Sequence, residues 1–283
     1  MKFSKMHGLG NDFILVNATK EILPEDLSGL ADKICEPRFG IGADGLIVLN
    51  NVDGADFSMR IFNSDGSEAE MCGNGIRCAA IFAREEGLTP KTKMSVATKA
   101  GLIKPEIIFG ADDVPTAVRV DMGEPRLKSA EIPCGLPGDF LINREITANG
   151  ETFFFTGVSM GNPHCVIFVD DVANFPVQVF GPVLENHVLF PAKANIEFVQ
   201  VLAKNHLKMR VWERGCGETM ACGTGACASV VAAFLNKKAN RQVVIELLGG
   251  ELIIDYNEDG KVYMTGPYAH VFDGDYAVDK KDK

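Results

Sequence analysis

The chain has 283 residues, 46% hydrophobic and 23% charged, enough for a soluble globular protein with one large core or two smaller ones. A formal net charge of −10 removes any general attraction to phosphate backbones or anionic lipids, which argues against nucleic acids and membrane surfaces as partners. No apolar run is as long as a membrane span, and the N-terminus lacks the basic-then-apolar layout of a secretory signal. The eight cysteines are therefore expected to be thiols in a reducing cytoplasm.

Phe3 to Met6 leads into His7-Gly8-Leu9-Gly10-Asn11-Asp12-Phe13, then the strand-like Ile14-Leu15-Val16. Two glycines before a polar pair predict a tight turn between strands. The Gly8-x-Gly10 pair lacks the third glycine and the following helix of a dinucleotide fingerprint. Residues 27–34 have a short helical pattern. Arg38-Phe39-Gly40-Ile41-Gly42-Ala43-Asp44-Gly45 then leads into a strand at Leu46-Ile47-Val48-Leu49.

Next comes a stretch that the chain contains twice. Met59-Arg-Ile-Phe starts one copy and Met209-Arg-Val-Trp the other, and they run in register 150 positions apart (72 to 222). Each passes from an apolar strand start through a polar turn with a matched glutamate, Glu68 or Glu218. Each then reaches Cys-Gly-x-Gly, at Cys72 and Cys222, and enters an Ala-rich run. Residues 74–86 and 224–237 are predicted helices, the second apolar nearly all round, so other structure must enclose it. Gly10-Asn11 matches Gly161-Asn162, and Gly45 falls on Asn195, so the repeat covers three separate loop-and-strand units. Short alternating strands are predicted at 118–122, 243–248, 252–256 and 262–265.

The expected fold is α+β: two pseudo-symmetric domains from an internal duplication, each a mostly antiparallel sheet wrapped around a central apolar helix. The expected boundaries are 1–117, completed by the C-terminal segment 268–283, and 118–267, with the active site in the cleft between them. The tail is needed because a strand-bearing stretch precedes the second copy, whereas almost nothing precedes the first.

A cysteine at a helix N-terminus sits at the positive end of the backbone dipole, beside free N–H groups, which favours the thiolate. The following glycines admit close approach, and the same N–H groups can hold a carboxylate. One such cysteine suggests a nucleophile. Two on pseudo-symmetric halves suggest opposed acid–base groups, one removing an α-proton while the other delivers one from the far side. A cysteine is more often a small buried hydrophobe, and that is the expectation for Cys35, Cys78, Cys134, Cys165 and Cys227; for Cys216, in the polar turn, both readings stand and the structural one is favoured. Zinc is disfavoured because no Cys-x2-Cys knuckle occurs. His164 follows Asn162-Pro163 in a turn that mirrors Asn11, which favours a polar role beside the site. His7, His187, His206 and His270 are expected to be structural or solvated. Glu213-Arg214 precedes the second cysteine loop, and an arginine there could clamp a carboxylate bidentately.

At these residues the chain closely resembles the diaminopimelate epimerases. The motifs are Gly8-Leu9-Gly10-Asn11-Asp12-Phe13, Asn63-Ser64-Asp65-Gly66-Ser67, Cys72-Gly73-Asn74-Gly75-Ile76-Arg77-Cys78, Gly161-Asn162-Pro163-His164, Glu213-Arg214-Gly215 and Ala221-Cys222-Gly223-Thr224-Gly225, with Gly266-Pro267 and Val271-Phe272-Asp273-Gly274 at the end. The resemblance implies an isomerase without cofactor or metal that interconverts LL- and meso-2,6-diaminoheptanedioate, in lysine and peptidoglycan precursor biosynthesis. It implies Cys72 as proton donor and Cys222 as acceptor in the LL to meso direction, assisted by His164 and Glu213. It further implies substrate binding by Asn11, Asn63, Asn162, Asn195, Glu213 and Arg214, and by the backbone pairs Gly73-Asn74 and Gly223-Thr224. A homodimer is implied too. One position departs from the pattern: some members carry a Gln where this chain has Gly45, so one side-chain contact is lost or replaced. The rivals are a proline or hydroxyproline racemase-like enzyme, a metal-binding or redox thiol module, and a purely architectural repeat.

Overall fold

A computed structural model describes residues 1–278; the last five residues of the segment assigned to the first half lie outside that range. In chain order the first part contains β1 (Lys2–Gly8), β2 (Asn11–Asn17), α1 (Leu27–Cys35), β3 (Gly45–Asn50), β4 (Phe57–Asn63), β5 (Glu68–Ala69) and α2 (Gly73–Glu85). It continues with β6 (Val96–Thr98), β7 (Gly101–Ile103), β8 (Pro105–Phe109) and β9 (Pro115–Asp121). The second part contains β10 (Arg144–Ala148), β11 (Glu151–Ser159), β12 (Pro163–Phe168), α3 (Val177–Glu185), β13 (Asn195–Ala203), β14 (His206–Glu213), β15 (Gly217–Glu218) and α4 (Gly223–Leu235). It ends with β16 (Gln242–Leu247), β17 (Gly250–Tyr256) and β18 (Val262–Gly266), before β19 (Ala269–Asp275). Two compact units result: Met1–Val120 together with the segment from Gly266, and Asp121–Thr265.

In the first unit the strand order is β19-β1-β2-β3-β4-β6-β7, with β5 paired onto β4. The second unit runs β10-β11-β12-β13-β14-β16-β17-β18, with β15 on β14. Most neighbours are antiparallel. The parallel pairs are β2–β3 and β4–β6 in one unit, and β12–β13 and β14–β16 in the other. A parallel pair needs a crossover, and α1, α2, α3 and α4 are those four crossovers. The C-terminal β19 pairs antiparallel with β1, as β10 pairs with β11.

The strands that carry each site are buried on both faces, which is why Ile14-Leu15-Val16 and Leu46-Ile47-Val48 are continuous apolar runs rather than alternating ones. Ile14, Val16, Leu46, Val48 and Phe62 pack with Leu30, Ala31 and Ile34 of α1. Toward α2, Ile47 and Phe13 lie against Gly75. Every residue from Gly73 to Ala83 of α2 is buried, and α4 is buried from Gly225 to Ala233.

The matched glutamates of the repeat have a structural use. Arg60 Nε donates to Glu68 Oε1 at 2.7 Å, and Arg210 Nε to Glu218 Oε1 at 2.7 Å. Each pair ties a long strand to the two-residue strand that leads to a cysteine. The helix α3 is not predicted by the sequence pattern, because Pro176, Gly181 and Pro182 read as breakers. Its apolar face, Val177, Phe180 and Leu184, is nonetheless buried in the second unit's core. Gly181 is required there: an added Cβ would lie 2.6 Å from the Trp212 ring.

Candidate active site

In the first unit the two-residue turn Leu9-Gly10, with φ of 59° and 82°, joins β1 to β2 and presents Asn11. Asp44 fixes it: Asn11 Nδ2 donates to Asp44 Oδ2 at 2.7 Å, and the Asp12 amide donates to the same oxygen at 3.0 Å. Asp12 is in turn paired with Lys5 at 2.8 Å. With its amino group committed to a carboxylate, Asn11 turns its Oδ1 toward α2. There it accepts from Asn74 Nδ2 at 3.1 Å and from the Cys72 thiol at 3.5 Å. Cys72 is the N-cap of α2, with extended backbone, and its sulfur accepts from the Gly75 N–H at 3.4 Å. The sulfur therefore occupies the capping position that Ser or Asp usually fills.

A buried arginine braces this end. Arg77, fully buried, donates from Nε to the Pro267 carbonyl and from NH1 to the Gly73 carbonyl, each at 3.0 Å. Asn63, at the end of β4, donates to Ser67 Oγ at 2.9 Å. Gly45 has a physical reason to be glycine: a Cβ there would lie 2.6 Å from the Phe62 carbonyl oxygen.

In the second unit Cys222 is the N-cap of α4 and is only 5% exposed. Its sulfur lies 3.6 Å from Thr224 Oγ1, which accepts from Asn162 Nδ2 at 3.3 Å. Asn162 Oδ1 faces His164 Nε2 at 3.0 Å, and His164 Nδ1 faces Glu197 Oε1 at 2.7 Å. His164 and Glu197 have no solvent-exposed side-chain surface. Glu213, at the end of β14, accepts from the Thr219 hydroxyl. Burial pushes the Glu213 carboxyl up, against hydrogen bonds from Thr219 and Cys222 that pull it down, and Glu197 adds to the rise. Burial likewise holds the Cys222 thiol well above the ordinary thiol value, with Glu213 and then Glu197 adding to it and the Thr224 hydroxyl opposing. Cys78 and Cys35 are pushed up to about 12, mainly by burial, so both are inert packing thiols.

Each unit thus collects its own share of the predicted residues. Asn11, Asn74 and Gly73 gather at Cys72; Asn162, His164, Glu213, Gly223 and Thr224 gather at Cys222. Asn195 is buried and its amide is committed to the fold, donating to the Pro163 carbonyl and accepting from the Arg214 N–H, each at 3.0 Å. Arg214 donates from NH1 to the Ala192 carbonyl at 3.1 Å. Asp44 and Glu197 escaped the sequence reading. Glu197 left a signal there, as a charged residue inside the apolar run Ile196-Glu197-Phe198, and Asp44 left none beyond its Gly-x-Gly-x-Asp turn.

Among the described residues, the group with metal-ligand geometry is His206, Glu246 and Glu251, on β14, β16 and β17, and it contains none of the cysteines. His206 is already paired with Glu246 at 2.8 Å. No described helix is long and apolar enough to cross a membrane.

The sequence profile of the family described as diaminopimelate epimerase matches residues 3–128 and 156–271. A diaminopimelate epimerase of Moorella thermoacetica is 55% identical over 280 residues, covering 99% of this chain and 100% of the relative. Another, of Pelotomaculum thermopropionicum, is 53% identical over 277 residues, covering 98% and 99%. Among solved structures, a probable proline racemase from Agrobacterium radiobacter superposes with a TM-score of 0.71 at 17% identity, covering 98% of this chain and 93% of that one, a likeness of fold. The matching cysteine ends and these relatives together place the chain in the diaminopimelate epimerase family.

Proposed function

We propose that the protein interconverts LL- and meso-2,6-diaminoheptanedioate without a cofactor, by two-thiol proton transfer at one α-carbon. The observation that carries this is the twin N-capping sulfur: Cys72 and Cys222 begin α2 and α4 at matched places in the two units. In the LL to meso direction Cys222 takes the α-proton and Cys72 supplies one to the opposite face of the carbon. The first-turn N–H groups of Gly73-Asn74 and Gly223-Thr224 hold the α-carboxylate and stabilise charge that develops as the carbon is deprotonated. Asn11, Asn63, Asn162, Glu213 and Arg214 bind the remaining amino and carboxylate groups, and Asn195 adds the one N–H and one lone pair that its two backbone bonds leave. His164 and Glu213 assist at Cys222. A homodimer in the cytoplasm, feeding lysine and peptidoglycan precursors, belongs to the same proposal.

The test is incubation of LL-diaminopimelate with the enzyme in deuterated water, read by mass spectrometry and chiral separation. Deuterium is expected at the inverted α-carbon of the meso product, with no cofactor added. Racemisation of proline with no turnover of diaminopimelate would overturn the assignment.

A further inference from the structure

The contacts behind Cys222 form one continuous chain, and the assigned orientation of the Asn162 amide sets the hydrogens along it. Asn162 Nδ2 donates to Thr224 Oγ1, so Asn162 Oδ1 is the atom that faces His164, and Nε2 of the imidazole carries a hydrogen. Thr224 then has its own hydroxyl hydrogen available to the Cys222 sulfur. At the other end a single proton lies between His164 Nδ1 and Glu197 Oε1, whether it is drawn on the nitrogen or on the oxygen. The pair is neutral overall in both forms, which is what a fully buried carboxylate and imidazole require. The second oxygen of Glu197, Oε2, is buried with no hydrogen-bond partner, so the shared proton is the main compensation the carboxyl group has.

Glu197 also lies close beneath the first turn of α4. The position that a Cβ on Gly225 would occupy is 2.7 Å from Glu197 Oε1 and 3.2 Å from Cys222 Sγ. The carboxyl group is thus next to the turn that presents the sulfur, and no side chain can come between them. A glutamate inside a strand buried on both faces has no solvation to gain, and an apolar residue would fill the place at lower cost. Ile47 stands at the matching place in the first unit.

We propose that Glu197 is a positioning residue of the epimerase. It locks the orientation of His164 and, through Asn162, aims the Thr224 hydroxyl at the Cys222 sulfur. The inference rests on the proposed two-thiol reaction. Its consequence is specific: Glu197 should matter when the sulfur changes charge, because the relay supplies a hydrogen bond that strengthens as thiol becomes thiolate. It should matter little for holding substrate, which it does not touch.

The experiment compares wild type with Glu197→Gln, which has the same shape and still presents a polar atom to Nδ1. The expected kcat loss is about 10- to 100-fold, the scale on which supporting hydrogen-bond partners act on a reactive group, with KM and thermal melting unchanged. Proton NMR of the wild type should show a far-downfield Nδ1 resonance from His164 that is absent in Glu197→Gln. In a double-mutant cycle, Glu197→Gln should add little further loss of kcat once Asn162→Ala has cut the chain. Wild-type kcat in Glu197→Gln would overturn the proposal, and so would a wild-type spectrum without that resonance. The spectrum needs neither substrate nor a folded variant, so it decides the relay even if diaminopimelate turns out not to be the substrate.

Discussion

In the first unit the sulfur that caps a helix is met by neutral amides; in the second it is met by a chain that ends on a buried acid. Cys72 is half-buried, with Asn11 and Asn74 around it, and its thiol points at an amide oxygen. Cys222 is buried, with Glu213 and Glu197 nearby and a threonine hydroxyl at its sulfur. In both units a carboxylate orients the asparagine beside the cysteine, but Asp44 does so directly and Glu197 through a histidine. The duplicated fold places two like atoms at two like helix ends, and the residues around them make the two ends chemically different.

The largest expected effect comes from removing either sulfur. Cys72→Ala and Cys222→Ala should each lower interconversion by about 10²- to 10⁴-fold, the range associated with loss of one proton-transfer group. The two variants should differ in what remains. A single thiolate can take the α-proton of one epimer and return a solvent deuteron to the same face, giving exchange without inversion. With burial and two acids opposing ionisation of Cys222, the enzyme that retains Cys72 should exchange faster than the one that retains Cys222. Mass spectrometry of recovered LL and meso substrate in deuterated water measures this. Equal exchange by the two variants would show that the surroundings do not matter.

A smaller effect separates the glycines that begin the two helices. Gly75→Ala brings a methyl group 3.0 Å from Ile47 Cδ1, the far end of a flexible side chain. Alanine also gains about 1 kcal/mol of helix propensity, so the change should be close to neutral for stability. Gly225→Ala meets Glu197 Oε1 at 2.7 Å and the Cys222 sulfur at 3.2 Å, and both are enclosed. It should destabilise by about 1–3 kcal/mol, the usual range for overpacking, and lower kcat by displacing the sulfur. Chemical denaturation of both variants measures the contrast, which would be lost if the two cost the same.

Much of this architecture was legible in the sequence, because it was written twice. The 150-residue offset and the apolar runs after each Cys-Gly-x-Gly define α2 and α4 to within a residue or two, and with them the α+β class with its two sheets. The offset even covers what local pattern hid: α1 and α3 span residues 27–35 and 177–185, so the repeat implies a helix where two prolines and a glycine argue against one. The support behind the cysteines was not legible in the same way. Asp44 falls on Ala194 and Glu197 on Ile47, so neither residue is part of the repeat. Buried acids are recognised by what they touch, and Glu197 touches residues 33 positions away through a parallel strand pair. Asn195 shows the opposite limit, since its place in a motif did not reveal that its amide is occupied by backbone.

The smallest expected effect is a pH dependence at the position where the first unit has Asn63 and the second Glu213. Burial raises the Glu213 carboxyl above its ordinary range, so the folded protein binds its proton more tightly than the unfolded chain does. Below the ordinary glutamate range both states are protonated, and the folded state keeps the whole of that contribution. As pH rises through the raised folded value the contribution is lost, because ionising a buried carboxyl costs the folded protein more than the unfolded chain. Glu213→Gln supplies the amide that the first unit already has and removes this penalty. It should therefore melt above wild type at about pH 7.5, and the gap should close toward about pH 4, where the wild-type side chain is neutral too. Melting curves over that range give the sign directly. A gap that widens on acidification would mean that Glu213 is stabilised as a carboxylate, and that this end of the second unit is less hostile to negative charge than its burial and its neighbour Glu197 imply.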